Sequence, residues 1–285
     1  MNVLSIQSAV AYGHVGNSAA VFALQRLGHE VWPIDTVQFS CHTGYPGWQG
    51  EVFPPAQLTA LIDGLAACGA LAGCDAVLSG YLGAAATGAV VLDAVWRLRE
   101  SRPGTLFCCD PVMGDTEHGL FVAADIPAFF ARSAIPAADI VTPNCFELSL
   151  LTGRSLHDLG DLVAAARHLR RQGPGTVAVT GVTAPLLPSG RIGAVVVTAE
   201  GAWLAETPLL EFPTPPHGTG DVFAALLLGR LLTGEQPTEA LAKTVGALYA
   251  ILLRTQAAMV RELTLIAAQD QLATPESYPT ATSID

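Results

Sequence analysis

The chain has 285 residues, 51% of them apolar, and carries 14 basic against 25 acidic side chains for a net charge of −11. This composition allows one sizeable core, and the negative charge disfavours nucleic acid and anionic membranes as partners. Lys243 is the only lysine, which disfavours a Walker A loop, and the six cysteines contain no C-x-x-C pair that would indicate structural zinc.

The N-terminus has no basic segment ahead of an apolar one, so it does not resemble a secretion signal. No apolar run reaches the roughly 18 residues that a membrane helix needs. We therefore expect a cytoplasmic protein whose cysteines are reduced.

Short apolar runs alternate with longer helical patterns along the chain. Strands are predicted at 3–7, 31–37, 76–80, 105–110, 139–144, 176–181, 194–198 and 202–206. Helices are predicted near 17–28, 55–70, 84–101, 145–152, 158–172, 219–233 and 237–256. Such alternation is typical of an α/β fold, here one domain with a mostly parallel central sheet flanked by helices on both faces.

Two segments fall outside this alternation. Residues 38–54 are rich in aromatic residues, glycine and proline and lack a clear period, which predicts a long loop or flap of the kind that often carries function. The polar segment after about residue 273 predicts a loosely held tail.

Polar residues recur at the predicted strand ends. They are Ser8, Asp110, Asn144 and Thr180. Ligands of open parallel sheets bind beyond the carboxyl ends of the strands, so these residues are candidates for one binding site. The alternative is that strand ends are polar because they meet water, and the recurrence on several strands favours the site.

The stretch GTGD, residues 218–221, comes directly before an apolar helical run. Gly218 and Gly220 allow the backbone to approach a ligand, and the helix start directs free N–H groups and its dipole at the turn. Asp221 is therefore placed to act as the base for a hydroxyl that attacks a phosphoryl group. Alternatively, Asp221 is only a favourable first-turn acid and the glycines merely shape a loop.

The stretch TPNCFEL, residues 142–148, combines Asn144 with Glu147 three residues later. This spacing predicts a capping box at the start of a helix. A functional interpretation is that Glu147 also faces the site and holds Mg²⁺ through water, since magnesium keeps several waters and takes few protein carboxylates.

Taken together, the motifs resemble those of the pyridoxal kinase group in the ribokinase-like superfamily, and most closely the short bacterial type. The motifs that carry the resemblance are AYGHVGNSAA, VQFSCHTGY, SGYLG, CDPVMGD, TPNCFEL and GTGDVFAALLLG, which begin at residues 11, 37, 79, 109, 142 and 218. They occur in the order of that family and cover most of the chain.

The resemblance implies transfer of the γ-phosphoryl group of ATP to the 5′-hydroxymethyl group of pyridoxal, pyridoxine or pyridoxamine. It makes Asp221 the base and Gly218, Thr219 and Gly220 the anion hole. Around Mg²⁺ and the nucleotide it places Asp110, Thr142, Asn144, Glu147, Thr180, Thr207, Pro208, Leu209 and Leu210, with Asp110 and Glu147 nearest the metal. Around the pyridine ring it places Ser8, His42, Thr43, Gly44, Tyr45 and Tyr81. It also implies a homodimer and leaves a monovalent cation open as a further cofactor.

The flap supplies the apolar surface that a neutral aromatic alcohol requires. Its aromatic residues are Phe39, His42, Tyr45 and Trp48, and the alternative is that they are ordinary core or a dimer contact. Three positions depart from the family pattern: Ala9, Cys41, and His217 just before the glycine turn. They leave the proposed base and anion hole intact but bear on substrate preference.

Other functions remain in view. A hydroxymethylpyrimidine kinase would act on a similar ring, but such enzymes usually have cysteine in place of Asp221. A sugar kinase would need more hydrogen-bonding side chains than residues 3–13 offer. A non-catalytic binder of pyridoxal or its phosphate would use the same fold. A dinucleotide-binding dehydrogenase is disfavoured, because residues 13–20 lack the G-x-G-x-x-G spacing.

Overall fold

The computed structural model describes all 285 residues as an α/β domain built on one large sheet. Its strands are β1 (Asn2–Val10), β2 (Glu30–Phe39), β3 (Gly50–Val52), β4 (Ala76–Ser79), β5 (Leu106–Cys109), β6 (Gly114–Asp115), β7 (Gly119–Leu120), β8 (Ile140–Val141), β9 (Thr176–Val182), β10 (Arg191–Val197), β11 (Ala202–Pro208) and β12 (Thr282–Ser283). All except β6 and β7, which form a separate hairpin, belong to the large sheet.

Helices connect these strands. They are α1 (Asn17–Arg26), α2 (Pro55–Ala67), α3 (Ala85–Ser101), α4 (Ile126–Phe129), α5 (Ile135–Ala137), α6 (Cys145–Thr152), α7 (Leu159–Arg170), α8 (Thr219–Leu232), α9 (Pro237–Ala258) and α10 (Gln269–Ala273). A 3₁₀ turn follows α2, and a π-helical turn joins α4 to α5. None of the helices combines the length and hydropathy needed to span a lipid bilayer.

The strand order in the large sheet is β12-β11-β10-β9-β8-β5-β4-β1-β2-β3. The middle of the sheet, from β9 to β2, is parallel, and the outer strands β3, β10, β11 and β12 pair antiparallel. This arrangement confirms the predicted mostly parallel sheet. The antiparallel ends arise because short connections can join only neighbouring antiparallel strands, as in the β10–β11 hairpin.

Helices cover both faces of the sheet. Because alternate strand residues point to opposite sides, neighbouring residues of one strand pack into different cores. In β4, Val77 packs into the core beneath α2, α3, α6 and α7, whereas Ala76 and Leu78 pack into the core beneath α1, α8 and α9. Helix α8 is buried continuously from Val222 to Arg230, which explains why its sequence is apolar all round.

The flap and the C-terminal segment differ from their sequence predictions. Part of the flap forms β3, which pairs with Val37–Phe39 at the end of β2 and so gives the loop a hairpin base. The end of the segment predicted to be a loose tail is joined to the sheet instead. Strand β12 pairs with β11, and Asp285 forms an ion pair with Arg167 and accepts a hydrogen bond from the Ala202 N–H.

Candidate active site

The carboxyl ends of the parallel strands meet at one edge of the sheet, and α8 begins at this edge. Strand β11 is antiparallel to β10, which is antiparallel to β9, so Thr207 at its end lies at the same edge as Thr180. Asp110 follows β5, and its carboxylate is repelled by those of Glu147 and Asp221. The fold therefore brings the separate strand-end signals of the sequence to one region.

The glycine turn that starts α8 fits only glycine at its first position. Gly218 has φ 90° and ψ 0°, and a Cβ atom there would overlap the backbone oxygen of His14. The Gly218 carbonyl accepts the Val222 N–H at 3.0 Å and so begins the helix. Nothing lies within 4 Å of the position a Gly220 Cβ would occupy, so the space in front of the first turn is open. Open N–H groups at a helix start can hold an anion.

Asp221 lies in this first turn. The residue as a whole is half-buried, but its carboxyl group is surrounded by protein atoms. Burial raises the pKa of its carboxyl to about 6, and the backbone N–H groups of Gly16 and of Asp221 itself partly offset the rise. At neutral pH Asp221 is therefore a carboxylate, but a more basic one than an exposed aspartate. A pKa close to the working pH suits a general base.

Asp110 is buried, and its carboxylate accepts a hydrogen bond from Thr142 Oγ1 at 3.1 Å. Burial raises the pKa of Asp110 well above its usual range, and the charges of Glu147 and Asp221 raise it further. A concentration of negative charge at one sheet edge is what a bound cation would relieve.

Glu147 and Asn144 form the predicted capping box at the start of α6. Asn144 Oδ1 accepts the Glu147 N–H at 2.9 Å, and Glu147 Oε2 accepts the Asn144 N–H at 2.9 Å. Glu147 Oε1 accepts the Met113 N–H at 2.8 Å, and Asn144 Nδ2 donates to the Gly114 carbonyl at 2.8 Å. The capping role is thus confirmed, and Glu147 also fixes the loop after β5. Its contact to magnesium remains a prediction.

The residues predicted to cover a nucleotide line the end of β11 and the segment after it. Thr207 is buried, whereas Pro208 and Leu209 are exposed and Leu210 is half-buried. The Leu209 N–H donates to the Gly190 carbonyl at 2.8 Å, which fixes this segment against the start of β10. Residues 211–217 connect this segment to the glycine turn.

The residues predicted to hold the ring come from β1, the loop after β4 and the flap. Ser8 sits at an irregularity in the β1–β2 pairing and is half-buried. Tyr81 is also half-buried, burial raises the pKa of its hydroxyl, and its carbonyl accepts Thr36 Oγ1 at 2.7 Å. Thr43 and Gly44 are exposed on the flap.

The flap aromatic residues divide into two groups. Phe39 is buried with Val10, Val15 and Val37, and Trp48 packs on it with ring centroids 4.7 Å apart. Phe39 therefore belongs to a small hydrophobic cluster, whereas Trp48 covers it and stays exposed on its other side. His42 and Tyr45 point away from that cluster and contact other loops, as described below.

Comparison with known proteins shows which family the chain resembles. Residues 53–260 match the phosphomethylpyrimidine kinase family model. The pyridoxal kinase PdxY of Deinococcus radiodurans is 51% identical over 96% of this chain and 93% of its own length. The pyridoxal kinase PdxY of Rubrobacter xylanophilus is also 51% identical, over 96% of this chain and 94% of its own length. The chain belongs to the pyridoxal kinase family.

Solved structures of that family have the same fold. The pyridoxal kinase from Leishmania donovani in complex with ADP and pyridoxamine superposes with a TM-score of 0.90 at 30% identity, covering 100% of this chain and 99% of that one. The resemblance inferred from the motifs is thereby confirmed, and so is the ribokinase-like fold that it implied.

Two residues that contact the flap carry no signal in the sequence, and a third stands out there only as a departure from the family pattern. Arg261 and Glu262, just beyond α9, contact the flap, and His217 stacks on His42. No motif marks these residues, because Arg261 and Gly44 are 217 positions apart in the chain. The one sequence signal for these contacts is His217, a polar residue directly before the glycine turn.

Proposed function

We propose that the protein transfers the γ-phosphoryl group of ATP to the 5′-hydroxymethyl oxygen of pyridoxal, with Asp221 as the base. The observation that carries the proposal is the placement of Asp221: a carboxylate of pKa about 6 in the first turn of α8, behind an open glycine turn. Family membership supports the reaction, and this placement supports the choice of Asp221 and the glycine turn as the groups that act in it.

The base and the anion hole act on the two reacting centres. Asp221 accepts the proton of the alcohol as its oxygen attacks the phosphorus atom. The N–H groups of Thr219 and Gly220 and the dipole of α8 stabilise the charge that spreads over the transferred phosphoryl oxygens. Phosphoryl transfer depends mainly on such positioning and electrostatic stabilisation.

The nucleotide belongs on the other side of the turn. Asp110, Thr142, Asn144, Glu147 and Thr180 face its phosphates in the proposal, and Thr207–Leu210 cover its base and sugar. Asp110 suits Mg²⁺ because its carboxylate is buried among other negative charges. No three His, Cys, Asp or Glu side chains are grouped to hold a metal by themselves, so Asp110 and water-bridged Glu147 would hold Mg²⁺ together with the phosphates. When bound, Mg²⁺ neutralises phosphate charge.

The ring of the alcohol belongs between β1 and the flap. Ser8, Thr43, Gly44 and Tyr81 orient its polar substituents in the proposal, while His42 and Tyr45 close over it. An apolar slot with few polar groups is the usual environment for such a ligand. The exposed flap residues can reach the ring only when the flap lies over β1.

Substitution of Asp221 tests the proposal directly. Asp221→Asn keeps the shape of the side chain but removes the base, so we expect turnover to fall by about 10²–10⁴-fold while pyridoxal still binds. Product is measured by mass, with ATP, Mg²⁺ and pyridoxal, pyridoxine, pyridoxamine, hydroxymethylpyrimidine or ribose. Asp270→Asn, at an exposed ion pair with Arg26, is the matched control.

The panel also separates the alternatives. Product from hydroxymethylpyrimidine alone would assign the protein to that activity, and product from ribose alone would make it a sugar kinase. Tight binding of pyridoxal without product would leave a carrier. Turnover of Asp221→Asn within about tenfold of the parent would remove Asp221 as the base.

The proposal includes a homodimer, a cytoplasmic location and an optional monovalent cation. Support for the dimer is an open apolar edge of β2, where Trp32 and Pro33 adjoin Leu61 and Leu65 of α2. Support for a reducing compartment is that all six cysteines are unpaired. Sedimentation velocity tests the dimer, and assays with sodium, potassium or neither test the cation.

A further inference from the structure

The tip of the flap, residues 40–49, is held by side chains from two distant loops. His42 stacks on His217 with ring centroids 3.6 Å apart and planes 24° apart. His217 comes from the loop directly before the glycine turn. The His42 ring of the flap therefore rests on a side chain that adjoins the glycine turn. The two imidazoles are both half-buried in this contact.

A second set of contacts comes from the dipeptide after α9. The Arg261 guanidinium lies over the Tyr45 ring at 3.8 Å from its centroid and donates to the Gly44 carbonyl at 3.0 Å. Glu262 accepts the Tyr45 hydroxyl at 2.6 Å. A cation over an aromatic face, together with a charge-assisted hydrogen bond at the other end of the same ring, fixes both position and tilt of Tyr45.

Glu262 also reaches the loop between β1 and α1. Its other carboxylate oxygen accepts the His14 N–H at 3.2 Å, and its side chain fills the space in which a Gly13 Cβ would lie. The His14 carbonyl is in turn the group against which Gly218 packs. The Glu262 carboxylate therefore connects the flap to the loop that packs against the glycine turn.

We infer that His217, Arg261 and Glu262 form a clasp that holds the flap in its closed position over the alcohol site. They are positioning residues: they act on the alcohol through His42, Gly44 and Tyr45, and they belong neither to the proposed base nor to the nucleotide side. The kinetic consequence rests on the function proposed above, whereas the closure of the flap does not.

The clasp determines how tightly the alcohol is held. Opening the flap removes His42, Thr43, Gly44 and Tyr45 from the ring, but leaves Asp221 and the glycine turn in place. The KM for the alcohol should therefore rise when the clasp is broken, while kcat at saturation and the KM for ATP change little. A general loss of folding would lower kcat as well.

Hydrogen exchange of the unliganded protein tests closure without any reaction. In Arg261→Gln we expect the peptide covering residues 40–49 to exchange about five- to tenfold faster, because a stacked guanidinium and its hydrogen bond are lost. Glu262→Gln should show a smaller increase. Arg97→Gln is the matched control, because it removes a half-buried arginine that pairs with Asp63 and Asp93 on α2 and α3.

Kinetics with pyridoxal form the second arm. Arg261→Gln should raise the KM for pyridoxal about five- to tenfold with kcat within about twofold. Arg261→Lys keeps the charge but loses the planar stack and should lie between Arg261→Gln and the parent. This second variant also serves if Arg261→Gln unfolds.

The two arms fail separately. Unchanged exchange of the flap peptide in both Arg261 variants overturns the clasp, whatever the activity. Faster exchange with a parallel fall in kcat and no rise in KM also overturns it, since the residues would then be supporting the site as a whole. If the parent protein phosphorylates no alcohol, the proposed function fails while the exchange experiment still decides whether the clasp exists.

Discussion

The glycine turn and the flap, which the proposed function makes two walls of one site, are built in different ways. The turn is local: residues 218–221 supply its shape, its N–H groups and its carboxylate, and α8 behind it is buried. The flap is held by side chains from elsewhere, chiefly Arg261 and His217. The segment proposed to perform the chemistry is thus fixed by the core, whereas the segment proposed to cover the substrate is held by a few side-chain contacts from distant residues.

The largest effect should come from breaking the turn. In Gly218→Ala the new Cβ overlaps the His14 carbonyl in a left-handed conformation, so we expect a loss on the order of 2–4 kcal/mol of stability and nearly all turnover. Gly220→Ala meets no atom, so it should keep the fold and lower turnover only by crowding the anion site. Thermal unfolding and steady-state rates distinguish these outcomes.

Gly64→Ala in α2 is the control for the glycine series, because its Cβ would also meet open space, far from the site. It should keep full activity and gain about 0.5–1 kcal/mol of stability. If Gly218→Ala behaved like Gly64→Ala, the claim that the turn requires glycine would be wrong.

An intermediate effect is expected from Asp110, on the rigid side of the site. Burial raises the pKa of its carboxyl above the ordinary value, so ionisation of Asp110 destabilises the fold at any pH above that ordinary value. Asp110→Asn retains an acceptor for Thr142 and should raise the free energy of unfolding by on the order of 1 kcal/mol, or about 2–4 °C in Tm. It should also raise the KM for MgATP about tenfold or more.

Calorimetry without nucleotide and initial rates at varied MgATP measure the two consequences of Asp110→Asn. A variant that is less stable than the parent would show that Asp110 supports the fold rather than straining it. An unchanged KM for MgATP would place the metal elsewhere.

The smallest expected effect is a pH dependence that differs between the KM for pyridoxal, which depends on the flap, and kcat, which depends on the glycine turn. Burial lowers the pKa of His42 to about 4 from 6.5 and also lowers the pKa of His217. The charged groups facing this pair are Arg261, Glu262, His118 and Asp115. Opening the flap restores ordinary pKa values, so the clasp is fully stable above pH 6.5 and weakens as the pH falls towards 4.

The KM for pyridoxal should therefore rise about threefold between pH 7.5 and 5.5, while kcat follows the protonation of Asp221 near pH 6. His217→Phe keeps a stacked ring that cannot be protonated, so its KM should rise less. The ionisation of the substrate itself cancels in this comparison. Equal KM profiles for parent and variant would exclude His217 as the cause.

The same contrast explains what could be predicted from the sequence. The start of α8 and the capping box of α6 are recognisable because their residues are neighbours in the chain and their spacing follows helix geometry. The mostly parallel sheet follows from the alternation of apolar runs with helical patterns.

Contacts between distant segments carry no such pattern. The clasp joins residues 44 and 261, and the pairing of β3 with β2 depends on how the flap folds back. Composition groups Phe39 and Trp48 with His42 and Tyr45, but in the structure the first two pack against each other at the base of the hairpin. Composition identified the aromatic character of the flap, and only the fold determined which rings remain available.

The burial of α8 has a further consequence for heating. A helix enclosed along nearly its whole length cannot soften separately from the rest of the domain, because its neighbours on the sheet, α1 and α9 pack on it directly. Asp221 should therefore keep its alignment until the domain melts cooperatively. The temperature at which catalysis fails and the temperature at which the core unfolds should coincide, whereas affinity for the alcohol declines earlier, as the flap loosens.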